Sequence, residues 1–235
     1  MCRGDRWGLA VGRDLWNGPV RRTPPLPFKG RTMPRGTLDL PEDIARDLTA
    51  RLGVTTEEDT SRGMFFLGAL DAVRFLGGEK AVASILEQTD ETADYVATQS
   101  YPFPRFLRLS YAAAWQLAPL VGDFDAAMRQ IGTQAMLDFL HSMFARELVQ
   151  QASGDPKRLM EVMQSGYRMA LNFGERTVEW SGPTAGRISM MRTLMPVPYT
   201  EGILRAALEV TGVHDVQVKG HARSLVEAVY DISWS

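Results

Sequence analysis

The stretch Val213–Trp234, VHDVQVKGHARSLVEAVYDISW, decides the fold. Val216 and Val218 point one way, and Asp215, Gln217 and Lys219 point the other. Beyond a turn at Gly220–Ser224, Val226, Ala228, Tyr230, Ile232 and Trp234 alternate with Glu227 and Asp231. A period of two with one apolar and one polar face marks antiparallel strands buried on one side. The stretch therefore reads as a hairpin. It also holds two of the three histidines of the chain, His214 and His221. His214 shares parity with Val216 and Val218 and leans toward the core, while His221 lies at the turn. A metal needs three or four converging ligands, and Asp215 points away from His214, so no metal site is expected.

Working outward, a helix precedes the hairpin in YTEGILRAALEVTG, and another hairpin precedes that helix. Val178 and Trp180 alternate with polar neighbours, as do Ile188 and Met190, across the turn signal Ser181–Gly186. Upstream of these, from Leu38 on, the reading is helical. Pro41, Glu42 and Asp43 open a first helix with Ile44, Leu48 and Leu52 on one face. RGMFFLGALDAVRFLGG is apolar over most of its girth and stops at Gly77–Gly78, and a short helix starts at Glu79. Pro104 opens a helix running to about Leu117, and FDAAMRQIGTQAMLDFLHSMFARELVQ is the longest helical pattern. In GDPKRLMEVMQSGYRMALNFGE, Asp155 is the N-cap, Pro156 the first helical residue and Gly174 the stop. The order predicts an α+β domain over residues 37–235, with an N-terminal helical part on a roughly four-stranded antiparallel sheet built hairpin–helix–hairpin.

Residues 1–36 differ in composition. They hold five of the 13 prolines, and eight Lys/Arg against two Asp/Glu, in a chain whose net charge is −2. This segment is either a disordered basic tail or, because ordered patterning begins right after Met33, the product of a misassigned start. The rest of the chain is acidic, which excludes nucleic acid as a partner of the core domain. No apolar run is long enough to cross a bilayer, and no secretory signal is evident. The lone cysteine, Cys2, suits a reducing cytoplasm.

The motifs RGMFFLGALDAV, YPFPRFLRLSYAAA, IGTQAMLDFL and EGILRAALEVTGVHDVQVKG…LVEAVYDISW resemble an uncharacterised paralogous family of myxobacteria. The order of elements also resembles haem nitric-oxide-binding domains, 4-vinyl-reductase-type domains and the Bet-type subunits of the TRAPP tethering complex. The haem sensors carry a proximal histidine on the helix before the sheet. The corresponding PKRLMEVMQSGYRMALNF has none, and the sensors' Tyr-x-Ser-x-Arg motif is missing, since Tyr167 and Arg168 are adjacent. The resemblance thus implies the fold without haem or another cofactor.

No nucleophile, carboxylate pair or cofactor motif stands out, which leans against an enzyme. His141 sits off the main stripe of its helix, with no group for it to activate. Two functions compete. The first is a regulatory domain that binds a small hydrophobic ligand, an acyl chain or flat aromatic, between helices and sheet. In that case the candidate lining is Trp115, Phe139, Met143, Met163, Tyr167, Trp180, Met190, Tyr230 and His214, with Tyr167, Tyr230 and His214 as its polar handles. The second is a protein-interaction or dimerisation module with a filled core. A cavity of about 300 Å³ favours the first, and an exposed apolar patch the second. The all-round apolar second helix predicts a homodimer.

Overall fold

The computed structural model describes residues 36–235, apart from the side chains of Met143 and Phe144. The tail expected at 1–36 therefore lies outside the described residues, except for Gly36. Helix α1 (Glu42–Leu52) bears Glu42 and Asp43 in its first turn, beside the positive end of the helix dipole. Strand β1 (Thr60–Arg62) leads into α2 (Gly63–Thr89), which breaks at Gly78. Strand β2 (Ser100–Pro102) pairs with β1 and opens α3 (Phe103–Val121).

The longest helical pattern is in fact two helices, α4 (Phe124–His141) and α5 (Met143–Ala152). Ser142 between them is extended, with ψ of 158°. Its hydroxyl donates to the Phe139 carbonyl at 2.6 Å and accepts from the Ala145 amide at 3.3 Å, ending one helix and capping the next. Helix α6 (Pro156–Ala170) starts where the sequence places it, with the Asp155 carboxylate accepting from the Lys157 amide at 2.8 Å.

The C-terminal half is the predicted hairpin–helix–hairpin: β3 (Glu175–Gly182), β4 (Ala185–Met191), α7 (Val197–Glu209), β5 (Gln217–Ala222) and β6 (Glu227–Ser233). The four strands form one antiparallel sheet in the order β3-β4-β6-β5. Across it, Arg176 faces Met190 and then Ala228, and Val178 faces Ile188 and then Tyr230. Ile188, Met190, Ala228, Tyr230 and Ile232 are at most 3% exposed, so the parity read from the sequence selects the covered face. The protein is an α+β fold with its helices on one face of the sheet.

Helix α2 buries Phe66, Leu70 and Val73 against α3 and α4 of the same chain. On the same helix Phe75 stays 66% exposed, and Leu67 and Leu76 are only partly buried.

Where α2 crosses α4, the Asp138 carboxylate lies against Gly68 and accepts from the Gln134 amide at 2.8 Å. Burial, only partly opposed by that hydrogen bond and aided by Asp71, raises its pKa to about 6. The native state then holds a proton that the unfolded chain releases near 3.8. Stability falls as pH rises from about 4 to 6, by up to about 2–3 kcal/mol, and stays lower above that window. Asp138→Asn keeps an acceptor for Gln134 and cannot ionise. It is expected to raise the melting temperature at pH 8 and leave it nearly unchanged at pH 4, a difference read by thermal unfolding at the two pH values.

Candidate ligand site

Between the helices and the sheet lies a cavity of about 70 Å³. Phe103 and Phe106 of α3 and Ala135, Met136 and Phe139 of α4 form its floor. Met163, Tyr167 and Ala170 of α6, Arg176 of β3, and Tyr199, Thr200 and Ile203 of α7 close its sides, with Thr193–Met195 joining them. The location follows from the topology. Helices α6 and α7 flank the sheet, and the strand after α6 starts where the helices end.

The structure brings only part of the sequence-derived set together. Phe139, Met163 and Tyr167 line the cavity. Met190 and Tyr230 are buried on the sheet's inner face beside it without lining it. Trp180 lies further along that face, where its ring meets Trp234 edge-on at 6.0 Å and its Nε1 donates to Glu161 at 3.2 Å. Trp115 is 40% exposed on α3 and away from the cavity. Met143 begins α5, and its side chain lies outside the described residues.

His214 corrects the parity argument. It is exposed, because Asp215 takes a positive φ of 50° and breaks the alternation before β5 begins at Gln217. It is tied instead to the chain end through paired backbone bonds with Ser235, at 3.0 and 2.9 Å. His221 is also exposed, 3.8 Å from Asp231 across the hairpin.

The expected polar handles are corrected too. Among the lining residues these are Tyr167, Arg176, Thr193, Tyr199 and Thr200. Arg176 has the parity of Val178 and Trp180, so its side chain is on the covered face. Its guanidinium carbon lies 3.6 Å from the centre of the Tyr167 ring, a cation–π stack. Its Nε is buried and has no hydrogen-bond partner. Burial pushes the guanidinium pKa down, opposed by the nearby Tyr167, Tyr230 and Tyr199. The phenols respond to the same dryness: burial drives Tyr199 upward and Tyr230 to about 12. A second void of about 10 Å³, beside Met160, Gln164 and Val178, also touches Arg176.

This arrangement can hold a compact molecule by burial and orient it with a few hydrogen-bond donors and one positive charge. Among the described residues, no three His, Cys, Asp or Glu side chains cluster as metal ligands.

The fold is shared with H-NOX domains. An H-NOX protein from K. algicida in the Fe(II) unliganded state superposes with a TM-score of 0.58 at 14% identity, covering 74% of this chain and 96% of that one. One from S. oneidensis in the Fe(II)NO state gives 0.55 at 12%, covering 74% and 99%. The H-NOX from Shewanella woodyi, bound to IWP-051 in the Fe(II)CO state, gives 0.50 at 18%, covering 74% and 94%. Identities this low show the fold alone. By sequence, the chain belongs to the family described as Protein of unknown function (DUF2378), whose model matches residues 54–235. No curated protein matches it.

Haem does not fit this cavity. The lining contains no His or Cys, and phenylalanine rings occupy the space. Cofactor sites run to about 300 Å³ or more, several times the volume present. No helix among the described residues is long and apolar enough to cross a membrane.

Proposed function

We propose that the protein is a non-catalytic regulatory domain whose helix–sheet cavity binds a small, largely hydrophobic ligand without haem. The supporting observation is a void at the junction of five helices and the sheet, walled by aromatic rings and methionines; at about 70 Å³ it falls short of the roughly 300 Å³ of a drug-sized pocket and suits only a smaller guest. It sits where six elements meet, so filling it would couple α6, α7 and the Thr193–Met195 segment, as a switch requires. Its size narrows the ligand. A cavity of about 150 Å³ accepts benzene, so a long acyl chain is excluded without expansion, and a short compound of a few heavy atoms fits.

The test is protein-detected NMR of the full chain with fragments of graded size. Saturable shifts confined to Tyr167, Ala170, Arg176 and Tyr199 are expected with the smallest fragments. Ala170→Leu fills the void from the half-exposed end of α6. It should abolish those shifts while changing stability by about 1 kcal/mol or less, in the stabilising direction. A parent protein that binds no fragment, is destabilised by Ala170→Leu through overpacking, and has a dimer mass by light scattering would instead be an interaction module.

A further inference from the structure

Resting on that reading of the cavity, we infer that its ligand carries a negative charge, a carboxylate on a short apolar body, with Arg176 as its counter-ion. The guanidinium lines the cavity and has no acidic partner among the described residues. Its Nε is buried and donates to nothing. An arginine cannot escape by losing its proton, so the fold keeps a positive charge in a dry, aromatic-walled space. The Tyr167 ring offsets part of the cost by stacking on it. A stacked ring, however, leaves the buried Nε–H on the guanidinium edge without an acceptor.

A carboxylate matches that edge in shape, two oxygens against two parallel N–H groups. The surrounding Tyr199 and Thr200 add hydroxyl donors that a neutral apolar guest would leave unused. The remaining wall, from Phe103, Phe139 and Met163, accepts only a few carbon atoms. The guest this combination selects is a short monocarboxylate, free or at the end of a larger molecule.

Propionate and its neutral isostere propionamide, titrated into the full chain at constant ionic strength and followed by NMR, test this. Propionate is expected to bind at least about tenfold more tightly than propionamide, shifting Arg176 and Tyr167 resonances saturably. Arg176→Met should erase the preference and keep the propionamide site. In anion-free buffer this variant should melt no lower than the parent, because it removes an unpaired buried charge. Arg176→Lys, with a point charge and no planar fork, should keep a reduced preference. Equal binding of the two probes, or a preference that survives Arg176→Met, would overturn the carboxylate while leaving the cavity reading intact. Binding of neither probe would overturn both. A melting temperature that collapses in Arg176→Met and is restored in Arg176→Lys would make the arginine a structural strut and also overturn the inference.

Discussion

Replacing Gly132 or Gly202 by alanine is expected to destabilise the protein by roughly 3 kcal/mol or more, although alanine is the better helix former by about 1 kcal/mol. The two glycines lie on facing helices, α4 and α7, which touch backbone to backbone. A Cβ on Gly132 would fall 1.9 Å from the Tyr199 carbonyl oxygen, and one on Gly202 would fall 2.0 Å from the Arg129 carbonyl oxygen and 2.9 Å from the Thr133 amide. Overpacking against side chains costs about 1–3 kcal/mol because they can turn aside. Here the obstacles are main-chain atoms inside helices, so the helices must separate. For a domain of this size the loss corresponds to a drop of roughly 6–12 °C in melting temperature. Gly182→Ala, whose Cβ would meet nothing within 4 Å, is the control and should be nearly neutral. The double variant should cost less than the sum of the singles, because the first methyl already opens the crossing. Since α4 contributes Phe139 and α7 contributes Tyr199 to the cavity, the same separation should weaken ligand binding. Unchanged melting in both single variants would show that the crossing is looser than its geometry.

Much of the fold was legible in the sequence because the sheet is covered on one face only. Ile188, Met190, Ala228 and Tyr230 alternate with polar residues, and burial follows the alternation. Caps were legible for the same local reason, as Asp155 shows. What escaped is less local. Strands β1 and β2 have three residues each, too few to display a period. The break at Ser142 hides inside an unbroken helical pattern, because the capping serine has no apolar position to disturb. The site was half-legible. Phe139, Met163 and Tyr167 follow from helix faces, whereas Tyr199 and Thr200 reach the cavity only because α7 crosses α4 so closely. The most consequential omission, Arg176, had a usable signal. Strict parity with Val178 and Trp180 puts it on the covered face. His214 is the converse: parity was carried through Asp215, where the backbone turns and the alternation ends.

Arg51→Met should be comparably damaging, by about 3 kcal/mol or more, for a reason that lies in hydrogen bonds. Arg51 is at the end of α1, ahead of the segment matched by the family model, and is only 9% exposed. Its Nη1 donates to the carbonyls of Leu194, Met195 and Leu225, at 3.3, 3.3 and 3.0 Å, and its Nε to Asp47 at 3.0 Å. Asp47 is held in turn by the Tyr111 hydroxyl of α3. One side chain thus ties the first helix to two segments more than 140 residues away in the chain. Methionine fills much of the same volume but donates nothing, leaving the carbonyls of Leu194 and Met195 short of partners in a buried region and that of Leu225 in a part-buried one, each at about 1–3 kcal/mol if fully dry. Lysine restores the charge but cannot span the same set of acceptors, and should recover only part of the loss. The damage should also be local in a revealing way. Leu194 and Met195 line the cavity, so hydrogen exchange in Arg51→Met should accelerate at Thr193–Met195 and around Leu225 before the sheet's central strands are affected. Uniform acceleration across the whole domain, or none, would mean that α1 does not anchor the wall of the ligand site.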